Sequence, residues 1–294
     1  MLACGVAVSL ARGELETTLR PPVNDAPEAR ALAEEGDASG PISLSATAEV
    51  TSAYMWRGYR LEDAGIIFQP SATLGVALGS VGESSFAAKL GVWESIHSKK
   101  TGADTSTDVL RPWYESDITL GIEWNRGVWS AGLSYNWYAS PSNAFETYEE
   151  ILLSAAFDDA DSLGVWAFAP SVSLGIETGK GLSDGIDKGV YAQLGIEPSV
   201  DWESGLLGTI TFSFPCSAGL SLKDYYQNSA GDDQTFGFAT IAAKASVPIP
   251  LPEACGAWTG YAQVTQWFLG SHAAASNEDD QAKTVLTLGV TAEW

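Results

Sequence analysis

From residue 42 to the carboxyl terminus, apolar and polar residues alternate with a period of two. The last segment, TVLTLGVTAEW, places Leu286, Leu288, Val290, Ala292 and Trp294 on one face and Thr287, Gly289, Thr291 and Glu293 on the other. The first, SLSATAEVTSAYMW, places Leu44, Ala46, Ala48, Val50, Tyr54 and Trp56 opposite Ser45, Thr47, Glu49, Thr51 and Arg57. IIFQPSATLGVAL, FAAKLGVWES, DITLGIEW and VWSAGLSYNWY follow the same rhythm. After them come YEEILLSAAF, LGVWAFAPSVSLGIE, VYAQLGIEPSV, LGTITFSFPCSAGLSL, TFGFATIAAKASV, WTGYAQVTQWFL and the closing KTVLTLGVTAEW. Each has one apolar face and one face of polar or very small residues, which predicts about twelve strands in an all-β fold.

The connections between these segments alternate in length. Those after strands two, four, six and eight are brief (GSVGE, NRG, DDADS, DWES), and the one after strand ten, PIPLPEACG, is only somewhat longer. Those after strands three, seven, nine and eleven are long and polar: HSKKTGADTSTDVLRP, TGKGLSDGIDKG, KDYYQNSAGDDQ and GSHAAASNEDDQ. This asymmetry predicts a single transmembrane antiparallel β-barrel over residues 42–294, with short periplasmic turns at one rim and long outer loops at the other. A soluble β-sandwich also alternates, but it predicts similar turns at both ends and a wet face rich in Lys and Glu. Here that face is mostly Ser, Thr, Gly and Ala. No stretch offers the roughly eighteen uninterrupted apolar residues of a spanning helix. Entry into a membrane therefore requires a closed barrel, which alone pairs every backbone group in lipid.

Composition adds to this picture. The 294 residues carry a formal charge of −22, with 45% hydrophobic and 18% charged positions. Thirty glycines and a high aromatic content, against two methionines, favour sheets and turns. The acidity argues against a nucleic-acid partner, which would need a basic footprint. Cys4, Cys216 and Cys255 lie far apart without metal-ligand spacing, so no metal or other cofactor is implied. With Cys216 in mid-strand and Cys255 in a turn, a bridge between them is disfavoured. Residues 1–14, MLACGVAVSLARGE, read as part of a secretory signal lacking its basic start. Residues 15–41, rich in Glu, Ala, Pro and Asp, read as a flexible periplasmic segment in which a short helix could form around Pro27–Glu35.

Strand parity then assigns the charges. Glu49, Arg57, Lys89, Asp117, Glu123, Glu150, Glu177, Glu197, Lys244 and Glu293 are expected to face the lumen, because an Arg or Lys on the lipid face costs roughly 2 to 4 kcal/mol at mid-depth. Two readings remain open: a charged channel wall, or internal ion pairs that brace a narrow barrel, with Arg57 held by carboxylates of neighbouring strands. Read as a porin-like channel for small solutes or ions, the barrel is expected to prefer cations if it conducts, because carboxylates outnumber bases. Inward Trp93, Tyr191 and Phe238 could close so narrow a passage. Trp294 is expected in the interfacial aromatic belt, and it resembles the terminal aromatic recognised by the bacterial barrel-assembly machinery.

Two other function classes compete with the channel. A barrel hydrolase needs a His beside a Ser or a carboxylate. The only histidines, His97 and His272, open two outer loops and are expected to be solvated. An adhesin or structural barrel would act through outer loops, where Tyr225, Tyr226, Asp232-Asp233 and Glu278-Asp279-Asp280 are expected to be exposed. Those acidic runs could bind divalent cations at the lipopolysaccharide surface or simply be solvated.

One stretch carries a family likeness. VTSAYMWRGYRLEDAGIIFQPSATLGV resembles the opening of the TorF-type porins of proteobacterial outer membranes, on the matching residues Ser52, Tyr54, Arg57 and Gly58. Ala53 departs from the Asp common there. YESDITLGIEW, with Glu115, Asp117 and Gly121, is similar to a second segment of that family. The detailed likeness covers some forty residues, as an order of magnitude. It implies an outer-membrane barrel with a channel role, surrounded by lipid and lipopolysaccharide and passing small solutes. It implies no particular substrate and no oligomeric state.

Overall fold

A sheet of amphipathic strands exposes two edges unless it closes on itself, and in this protein it closes. The computed structural model describes residues 41–99, 112–179, 187–228 and 230–294. The expected signal, nearly all of the periplasmic segment with its helix, Cys4, and parts of the loops after strands three and seven lie outside the described residues. The strands are β1 (Ile42–Thr51), β2 (Tyr54–Trp56), β3 (Tyr59–Glu62), β4 (Ile67–Val81), β5 (Ser84–His97), β6 (Trp113–Arg126), β7 (Trp129–Ala139) and β8 (Tyr148–Phe157). They continue as β9 (Ser171–Glu177), β10 (Val190–Ile196), β11 (Ser199–Ser204), β12 (Gly208–Ser213), β13 (Cys216–Lys223), β14 (Phe236–Ile249), β15 (Ala257–Leu269) and β16 (Ala282–Glu293). Two short helices, α1 (Ala160–Leu163) and α2 (Ser271–Ser276), lie in connections.

Neighbours in sequence pair antiparallel around the wall, and β1 pairs with both β4 and β16 to join the first and last strands. β10 and β11 form one path interrupted at Pro198, and β12 and β13 form another interrupted at Pro215. A proline supplies no N–H to the ladder. Both proline carbonyls still accept ladder bonds, from Phe214 at 2.9 Å and Ala242 at 2.7 Å. Counted this way the wall has twelve strands, as the alternation predicts, and β2 and β3 stand apart as a hairpin paired with each other. β11 pairs with β12 alone, so this hairpin projects from the short-turn rim.

The wall is inside-out relative to a soluble protein. Leu74, Leu90, Ile118, Leu120, Leu133, Leu194, Ile241, Leu286 and Leu288 are exposed on its outer face. Thr47, Gln69, Thr119, Asn136, Gln193, Thr240, Gln263 and Thr265 are buried within. Exposed apolar residues on so many strands form a band suited to lipid.

Several sequence expectations need correction. The first strand ends at Thr51 rather than running to Trp56; the chain then turns into the barrel, so Tyr54 and Trp56 are buried in the interior and not on the lipid face. The tight turn expected at DDADS is a longer connection that contains α1 and ends at Ser171, folded over Asp159, whose carboxylate accepts from the Phe168 and Ala169 amides. DWES belongs to β11, and the reversal comes after it. Cys216 opens β13, and Cys216 and Cys255 are both free thiols.

Candidate functional site

The lumen near the long-loop rim is occupied by the β2–β3 hairpin. Its register pairs Trp56 with Tyr59, leaving Arg57 and Gly58 as the turn, with φ of 47° and 90°. Positive φ at both central residues matches the right-handed twist of a two-stranded hairpin. Glycine adopts it freely; for an arginine it is an uncommon, strained conformation. The structure therefore places Arg57 inside the barrel and corrects its setting: it sits at a hairpin tip and not on a wall strand.

The Arg57 side chain is 1% exposed and reaches Glu150 on β8, which has no exposed surface. Nη1 and Nη2 donate to the two carboxylate oxygens at 2.6 and 2.7 Å, forming a two-pronged pair. Nη1 also donates to the hydroxyls of Tyr225 at 3.0 Å and Tyr148 at 3.3 Å. Tyr148 in turn donates to Glu150 at 3.0 Å. The guanidinium carbon lies 4.2 Å from the centre of the Tyr191 ring and 5.0 Å from that of Trp56, within cation–π range. Tyr138 stacks on Tyr148 with ring centres 4.3 Å apart. Glycine makes room for this packing. A side chain at Gly175 would overlap the Glu150 carboxylate, and one at Gly237 would overlap the Tyr226 ring.

The hairpin backbone is held by other loops. Tyr226 donates to the Arg57 carbonyl at 2.9 Å. Asn277 donates to the Gly58 carbonyl at 2.6 Å and accepts from the Arg60 amide at 2.7 Å. At the surface Arg60 binds Glu278 at 2.8 Å and Asp280 at 3.1 Å, while Asp63 binds Lys283 at 2.7 Å. Tyr54 donates to Glu115 at 2.9 Å. Tyr225 and Tyr226, expected to be exposed on a loop, instead fold inward and are fully buried, and Glu278 and Asp280 are partnered by Arg60.

The wall charges expected in the lumen are mostly there. Glu49, Lys89, Asp117, Glu150, Glu177, Glu197 and Lys244 are buried, while Glu123 and Glu293 are partly exposed. Lys89 pairs with Glu123 at 3.0 Å. Lys244 lies 4.4 Å over the Tyr261 ring, and Tyr261 donates to Glu49 at 2.8 Å. Glu177, beside Glu150 in the ladder, accepts from the Gly189 amide at 2.7 Å. Trp93, Tyr191 and Phe238 are buried inside. Trp294 is about half exposed, and its backbone exchanges two hydrogen bonds with Leu44 across the β1–β16 seam.

Of the two histidines, His97 departs from expectation and His272 stays partly exposed at the rim. His97, expected to be solvated, is the last residue of β5 and has no exposed surface. Its Nε2 lies 2.8 Å from Ser95 Oγ, and its ring stacks on Tyr114 at 4.7 Å. A Ser–His contact is thus present, but Ser95 is equally buried, so neither group reaches a substrate surface. His272 lies at the rim on α2, where burial lowers its pKa. Among the described residues, no group of three or more His, Cys, Asp and Glu is placed to hold a metal ion.

Sequence reasoning missed Tyr138, Tyr148 and Asn277. Tyr148 shares Glu150's parity and was open to recognition; nothing in a polar loop distinguishes Asn277.

Some solved membrane proteins are similar to this chain at a low level. An outer-membrane channel from Pseudomonas putida F1 is similar with a TM-score of 0.46 and 12% identity, over 86% of this chain and 94% of that one. The NanC porin gives 0.41 and 11%, over 85% and 98%. The β-domain of the Bordetella autotransporter BrkA gives 0.41 and 10%, over 86% and 98%. Neither a family model nor a curated protein matches the sequence. The fold assignment rests on the strand pairing described above.

Proposed function

We propose that the protein is a porin-like channel of the bacterial outer membrane, related to the TorF-type porins, that passes small solutes or ions and prefers cations. The observation that carries this reading is the closed wall with an apolar exterior and an acidic interior, in which seven expected carboxylates outnumber three bases. Low-dielectric walls focus the field of such groups into the passage and attract cations. The long-loop rim would face outward among lipopolysaccharide and the short turns would face the periplasm, with Trp294 as a contact for the assembly machinery. The buried Ser95–His97 pair gives no support to a hydrolase.

Purified protein in a planar bilayer under a salt gradient tests the proposal. Discrete conductance steps with a cation-selective reversal potential are expected. An anion-selective wild type would refute the charge argument. The filling of the lumen by the β2–β3 hairpin favours a second reading, a structural or adhesive barrel, and absence of conductance in all variants would support it.

A further inference from the structure

The group around Arg57 has the makings of a binding site. Glu150 offers a two-oxygen fork, the Tyr148 and Tyr225 hydroxyls accept hydrogen bonds, and the Tyr191 and Tyr225 rings lie within cation–π range. A fork of acceptors beside aromatic rings suits a planar, weakly hydrated cation. The wall part of this site also keeps a second acid close by, because Glu177 is the ladder partner of Glu150.

The occupant is delivered differently from the site. Glu150, Tyr148 and Tyr191 belong to wall strands β8 and β10, whereas Arg57 arrives on the tip of a hairpin whose two strands pair with each other and with no wall strand among the described residues. Contacts such as those from Tyr226 and Asn277 hold its backbone, and the tip has left-handed dihedrals at a non-glycine residue. Withdrawal of the tip therefore requires no wall ladder bond to break. It would leave an anionic pocket walled by tyrosines.

We propose that the Glu150–Tyr148–Tyr191–Tyr225 pocket is a binding site for solutes bearing a guanidinium or similar planar cationic head group, which Arg57 occupies as a tethered competitor. The inference deepens the channel reading and rests on it: a cationic solute arriving from the long-loop rim displaces Arg57, takes its place against Glu150 and opens the passage that the hairpin fills.

The test uses methylguanidinium as the probe, in two independent arms. In planar bilayers, wild-type conductance is expected to rise saturably with millimolar methylguanidinium and not with equal added sodium. Arg57→Ala is expected to conduct more at rest and to show no further rise with the same probe, because no tethered group is left to displace. Arg57→Lys, which keeps charge but lacks the fork, should be displaced at lower probe concentration than wild type. Glu150→Gln should weaken every response at least tenfold. In detergent, calorimetry should show saturable binding of methylguanidinium to Arg57→Ala and at least tenfold weaker binding to Arg57→Ala/Glu150→Gln. Binding that is absent, or indifferent to Glu150, would overturn the pocket. Binding to Arg57→Ala with a wild type that conducts but ignores the probe would overturn the competitor role. If no variant conducts, the channel reading fails, and with it the opening step, while calorimetry still decides the pocket.

Discussion

Arg57 on the inner hairpin and Glu150 on the wall strand β8 are joined by two hydrogen bonds of 2.6 and 2.7 Å, and neither side chain is more than 1% exposed. Removing one partner of such a pair leaves the other charge buried without its counter-charge, which costs about 3 to 5 kcal/mol. Replacing both with apolar residues costs much less. Unfolding in detergent should therefore rank Glu150→Leu as the least stable variant and Arg57→Leu/Glu150→Leu as closer to wild type. A double variant as unstable as the sum of the singles would deny the coupling.

Asn277 ties the hairpin backbone to the loop after β15, beside the Arg60 ion pairs with Glu278 and Asp280. Asn277→Ala removes both of its hydrogen bonds to the hairpin backbone, a loss on the order of 1 to 3 kcal/mol locally. Hydrogen exchange at Tyr59–Glu62 should accelerate while the β14–β15 ladder stays protected. Unchanged exchange at the hairpin would show that Tyr226 and the Arg57 pair suffice.

The Asp63–Lys283 contact gives this clasp a pH dependence. The hydrogen bond from Lys283, opposed by burial and aided by the charges of Lys283 and Arg60, holds Asp63 below the usual aspartate range. A depressed folded pKa means that the contribution is fully present above the unfolded value, about 4, and is lost as pH falls through the lower folded value. Asp63 is partly exposed, so screening keeps the effect within about 1 kcal/mol. Protection factors in the hairpin should drop over that acid window in wild type and should be insensitive to it in Asp63→Asn. The same drop in both proteins would place the titrating group elsewhere.

Lys89 and Glu123 form a paired unit in the wall. Glu123→Gln uncovers the Lys89 charge, so the reversal potential should move toward anions by more than in Glu203→Gln, whose carboxylate lies on the projecting β11. Equal shifts would mean that ions do not pass Lys89.

Trp294 closes the seam through its backbone pairing with Leu44 and packs its ring edge-on to Trp258 at 6.0 Å. Trp294→Ala keeps the backbone bonds and loses the ring; deletion loses both. Membrane levels of assembled barrel should fall in the order wild type, substitution, deletion. Equal levels in all three would remove Trp294 from assembly.

The sequence made the wall legible because lipid and lumen demand opposite side chains, and a period of two sorts them without ambiguity along each strand. Parity held where a strand was continuous: Ile118, Leu120 and Ile122 face out, and Asp117 and Thr119 face in. The same rule failed at Ser52, because it carries parity through a break in the strand. Tyr54 and Trp56 look lipid-facing by count, yet a ring packed against other rings inside the lumen is equally shielded from water. Arg57 does lie in the interior, as the cost of a lipid-facing charge demands, but on a hairpin rather than on a wall strand. A long polar connection need not begin or stay in solvent: His97 ends β5 with no exposed surface, and Tyr225 and Tyr226 turn inward from the connection after β13.

The glycines that face the interior carry a consequence for how such a bore can change. Gly175 lies under the Glu150 carboxylate and Gly237 under the Tyr226 ring, so neither wall position can acquire a side chain while its occupant remains. Shortening a tyrosine needs no prior change in the wall, but adding bulk to the wall does need a prior loss inside. Drift toward a wider or reshaped passage is therefore ordered in time: the packed side chain, Glu150 or Tyr226, must be shed first, and new wall chemistry can follow only afterwards.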